Sequence, residues 1–220
     1  MRTLAVVLGT LLLAQGSHLF GGLGGLDMLL QNPGVLKELK LSDEQVTRVK
    51  EVVHEMRLKH REDWEKIRDL SEEERRDRLP EVIKLVSDDT MKSLHSVLSV
   101  PQVRRLKQIQ WQNDGLGAFS DDEVIKALQL TVEQKEKIRA LNSEVNRQWH
   151  DLVTSSAASG TEGNRYREIF RKLSVIRREA RDKGVGLLTA AQKKTWKDLV
   201  GEPFEVKIEQ LRTGKAIGMR

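Results

Sequence analysis

The pentapeptides LSDEQ (residues 41–45), LSVPQ (98–102), LTVEQ (130–134) and LTAAQ (188–192) share one pattern: Leu, a hydroxyl residue, two free positions and Gln. The first two copies lie 57 residues apart and the last two 58 apart. The stretch VLKELKLSDEQ (35–45) also overlays VIKALQLTVEQ (124–134) without a gap. A unit of about 90 residues therefore occurs twice, longer than the roughly 20 to 50 residues of common solenoid repeats.

Each copy carries the chemistry of a helix start. Ser42, Ser99, Thr131 and Thr189 stand where an N-cap hydroxyl accepts from the third amide of a helix, and Gln45, Gln102, Gln134 and Gln192 stand where a side chain reaches back to the cap amide. The preceding Leu41, Leu98, Leu130 and Leu188 occupy the staple position. Val46, Val49, Val53, Met56, His60, Ile67 and Leu70 then recur at three-four spacing, which predicts one helix of about 25 residues. SEEE (71–74) opens a second helix containing Pro80, and a third runs from Ser99 to about Gln112, with Gly115 as its stop. The second unit repeats the plan: Ser120 with Glu123 caps a short helix, Thr131 a long one, residues 154–164 read as a loop, a further helix follows, and Thr189 opens the last.

Low aromatic content (4%) with many charges (32%) suits long solvated helices, so the expected fold class is all-α. The expected architecture is two tandem helical-hairpin units packed as a pseudo-dimer. Arg2, the apolar run 4–14 and the small residues around Gln15 predict a cleaved secretory signal. The boundaries are then a signal peptide at 1–16, a first unit at 17–114, a second at 115–204 and a C-terminal tail at 205–220. The expected location is periplasmic or secreted, in a chain whose lack of cysteine excludes disulfides.

The signal, the paired L-S/T-x-x-Q motifs and the charged helix between them (SEEERRDRL, 71–79) resemble the Spy/CpxP family of periplasmic LTxxQ proteins. That resemblance implies a bent helical hairpin and an ATP-independent chaperone or envelope-stress protein that binds unfolded or partner proteins. The chain differs from that pattern in holding two units in tandem and in placing Pro101 one position later than the usual LTPEQ form.

No nucleophile elbow, phosphate loop or HExxH is present, and an enzyme is not expected. No cofactor and no metal ligand set is assigned: the five histidines form no i, i+4 pair, His60 with Asp63 is the one neat spacing, and a His in an apolar stripe reads first as a core residue. Residues 165–183 hold eight basic side chains against three acidic ones, predicting either a solvated helix face or an anion-attracting one. Arg165, Tyr166, Arg167, Phe170, Arg171, Arg178 and Arg181 are the candidate client-binding residues, extended by Arg104, Arg105 and Lys107. Proteins are the expected partners and anionic envelope surfaces a secondary class, with no nucleic acid. The alternatives are a regulatory or structural module, such as a ligand of a sensor kinase, and a metal-responsive protein.

Overall fold

The computed structural model describes residues 25–156 and 162–206; the side chains of Glu72, Arg76, 149–150 and 153–170 are outside that description. The expected signal peptide and residues 207–220 of the expected tail lie outside it too. Among the described residues the fold is all-α, with no strand. The helices are α1 (Leu26–Gln31), α2 (Pro33–Glu38), α3 (Asp43–Lys59), α4 (Arg61–Asp69), α5 (Glu72–Leu94), α6 (Val100–Asp114), a 3-10 turn (Gly115–Ser120), α7 (Asp122–Leu128), α8 (Val132–Ser156), α9 (Glu162–Gly186) and α10 (Ala190–Val200).

The described residues divide into two compact units, one formed by residues up to 110 together with 204–206 and the other by residues 111–203. The boundary therefore falls a few residues before the one read from sequence, and Phe204 returns to the first unit rather than closing the second. In unit 1, α3 and α5 form the hairpin, and α1 packs against both. Its core holds Leu26, Leu30, Val35, Val49, Leu94, Leu106 and Ile109, with Phe204 and Val206 packed on its margin. The sequence reading places no helix between residues 26 and 38. That stretch supplies α1 and α2, where Asn32 accepts from the amides of Gly34 and Val35 and Pro33 opens α2.

In unit 2, α8 and α9 form the hairpin, closed at one end by the 3-10 turn, α7 and α10. Its core includes Trp111, Leu116, Phe119, Val124, Ile138, Ala180 and Trp196. The Phe119 and Trp196 rings sit 4.7 Å apart. Gly184 is a glycine by packing need, because a Cβ there would overlap Leu116 Cδ1.

Three local expectations require correction. The helix predicted through residue 70 is broken at His60, which ends α3 and precedes α4. Asp121 caps α7, accepting from Glu123 and Val124, while Ser120 belongs to the 3-10 turn. The predicted loop at 154–164 is shorter, since α8 reaches Ser156 and α9 begins at Glu162.

Candidate functional site

The four motif glutamines do more than cap. In unit 1, Gln45 Oε1 accepts from the Ser42 amide at 3.2 Å, closing a capping box whose other bond runs from the Gln45 amide to Ser42 Oγ. Gln45 Nε2 donates to Val97 O and to Gln102 Oε1, both at 2.9 Å. Gln102 answers from the other side: its Nε2 donates to Leu39 O at 3.2 Å and to Gln45 Oε1 at 3.1 Å. Its Oε1 also accepts from the amide and the hydroxyl of Ser99, so Ser99 donates its hydroxyl where the other three caps accept with theirs.

Unit 2 repeats the four bonds donated by the glutamine amides. Gln134 Nε2 donates to Leu187 O (3.0 Å) and Gln192 Oε1 (2.8 Å), while Gln192 Nε2 donates to Leu128 O (2.9 Å) and Gln134 Oε1 (3.0 Å). Thr131 and Thr189 complete the boxes. An amide side chain has two donors and two acceptor sites, and each of these four amides uses them all. The result is a two-fold glutamine clasp that ties two helix starts to each other and to the turn preceding the opposite start.

The backbone explains why those carbonyls are available. Lys40 and Gln129, each just before a motif Leu, are left-handed (φ 52° and 51°), and the chain reverses there. Leu39 O, at the C-cap of α2, and Leu128 O, on the last residue of α7, lie next to that reversal, where a helix leaves carbonyls without internal partners. Leu98, Leu130 and Leu188 are buried beside the clasps, and Leu41 is half-buried.

The basic segment maps to α9. Leu173, Ala180 and Gly184 are buried on one side of it. Arg177 falls on that same stripe at helical spacing yet keeps an exposed side chain; desolvation lowers its pKa and the Asp114 carboxylate works the other way. The opposite side carries Arg171 and Arg178, both exposed and making no ion pair with another described residue, one turn either side of Val175, which is 41% exposed. Arg181 is half-buried and donates to Asp182 at 3.3 Å. Arg165, Tyr166, Arg167 and Phe170 belong to α9, but their side chains lie outside the described residues. Arg105 is engaged within unit 1 by Glu38 at 2.7 Å, so it is not a free extension of that face. Val175 was not singled out from sequence; its position between two arginines at helical spacing is the signal that could have found it.

His60 is buried, with Nδ1 3.1 Å from Asp63 Oδ2 and Nε2 3.0 Å from Asp89 Oδ2. The two carboxylates therefore sit on opposite edges of the ring. Lys59 also donates to Asp89, and that bond leads the causes that hold the Asp89 pKa below its ordinary value. Among the described residues no group of three or more His, Cys, Asp or Glu is arranged to hold a metal. None of the described helices is long and apolar enough to cross a membrane. No protein-family model, curated protein or solved structure matches the chain.

Proposed function

We propose that this chain is an exported, ATP-independent protein-binding protein of the Spy/CpxP kind, a chaperone or envelope-stress modulator, that holds unfolded or partner proteins on the outward face of α9. The observation that carries the reading is the division of that helix: Leu173, Ala180 and Gly184 serve the fold, while Arg171, Val175 and Arg178 serve nothing within the described residues. An apolar group flanked by two solvated cations suits a chain that is acidic and partly apolar. The charges raise the encounter rate over the screening length of about 8 Å at physiological salt, and the valine contributes contact that salt does not weaken. The glutamine amides, saturated by their own unit, are left out of the binding surface. Export rests on the apolar leader in the sequence.

Stopped-flow mixing with an acidic unfolded client across a salt series tests the proposal. Capture should slow as salt rises, with release little affected. Arg171→Glu combined with Arg178→Glu should reproduce that slowing at low salt, with unchanged melting because both side chains are exposed. Salt-independent capture, or an unaltered rate in the double variant, would return the α9 face to a solvated surface with no role in binding. A single partner bound one to one, with no capture of unrelated unfolded chains, would favour the regulatory module instead.

A further inference from the structure

The arm of unit 1 contains a joint that unit 2 lacks. His60 follows Leu41 by 19 residues, as Trp149 follows Leu130, yet α8 runs unbroken through that position where α3 stops. Nine residues before the second motif, unit 1 has Asp89 and unit 2 has Glu179. The duplicated unit thus builds the same hairpin without a break, and the fold does not require one.

The short helix beyond the joint is held in an unusual way. Ile67 is the one residue of α4 that is buried, and it lies outside the continuous core of unit 1. Polar clamps hold the two ends. At the start, the His60 ring bridges Asp63 of α4 and Asp89 of α5, with Lys59 on the same Asp89 oxygen. At the end, the Arg75 guanidinium donates to Ile67 O (3.1 Å), Arg68 O (2.9 Å) and Leu70 O (2.8 Å), capping the α4 carbonyls from α5. Removing one clamp leaves a nine-residue helix, too short to persist alone in water, anchored by the other clamp, the buried Ile67 and the half-buried Trp64.

We propose that α4 is a detachable strap on α5, released by opening its two charged clamps while the clasped core of unit 1 stays folded, and that release uncovers Ile67 and the α5 surface beneath it. Local opening below the global unfolding free energy is ordinary where buried apolar contacts are few. Hydrogen exchange on the full chain tests this. In the wild type, amides of residues 61–70 should exchange far faster than those of Val49, Val52 and Val53 in α3. Arg75→Met, which keeps the stem and loses the donors, and Asp89→Asn, which removes the charge facing His60, should each speed exchange at 61–70 by about tenfold, the scale expected for losing a bond to a charged group. Protection at α3 and at Leu106 should not change. If residues 61–70 exchange together with α3 in the wild type, α4 opens only with the whole unit and the strap does not exist. Unchanged exchange at 61–70 in both variants overturns it equally.

Discussion

At the scale of the residue, the choice of Gln over Glu is the telling detail. A capping box accepts either, and Ser71–Glu74 is a complete box made with Glu. All four motif copies use Gln, because a clasp needs two donors facing the opposite carbonyl and the opposite amide. Gln134→Glu should keep its cap and still destabilise unit 2 by roughly 2 to 3 kcal/mol, since it leaves two acceptors facing a carboxylate. Thr131→Ala, which removes the cap alone, should cost about 1 kcal/mol. Denaturant melts of the two variants decide it: an equal cost would mean the clasp adds nothing. Asp89 supplies a prediction about pH. Its folded pKa is lowered, first by the Lys59 bond with His60 adding to it, so its contribution is present above the ordinary carboxylate pKa and is lost as pH falls through that range toward the lower folded value. Stability measured down an acid series should decline less steeply in Asp89→Asn than in the wild type. The sequence showed the caps plainly, since a cap lies within four residues of its own helix. It did not show the clasp, because nothing local tells Gln45 that Gln102 stands opposite; the only trace was the uniform choice of Gln.

At the scale of the element, helix starts were legible and helix interiors less so. The stripe from Val46 to Leu70 keeps its three-four period across His60, so periodicity alone predicts one helix, whereas a buried ring held between two carboxylates from different helices breaks it. Asp121 was passed over for Ser120, although both are good caps; the 3-10 turn takes Ser120 and leaves Asp121 in the extended conformation that a cap requires. The helices α1 and α2 went unread because six residues each are too few to display a period. Gly184 shows the same limit, since a glycine inside a helical pattern looks like a weakness until its neighbour is known. Gly184→Ala gains about 1 kcal/mol in helix propensity yet drives a methyl into Leu116, and overpacking of that kind costs about 1 to 3 kcal/mol. A net loss of stability in thermal unfolding is expected, and Leu116→Ala combined with it should recover part of that loss. A stabilised single variant would show that the 3-10 turn gives way.

At the scale of the whole molecule, the duplication appears as two units that each carry their own core and their own clasp. The repeat of the motif at matched spacing made the number of units readable, and the Phe204 return to unit 1 was not, because a single aromatic after a glycine-proline stop has no pattern to declare its destination. The central claim is that the paired glutamines lock each unit separately. Double-mutant cycles on the full chain test it most directly. Gln45→Ala with Gln102→Ala, and Gln134→Ala with Gln192→Ala, should each show a coupling of about 1 kcal/mol or more, the range found for residues sharing a hydrogen-bond network. Gln45→Ala with Gln192→Ala should be additive. Additivity within a unit, or coupling between Gln45 and Gln192 as large as that between Gln45 and Gln102, would contradict the account.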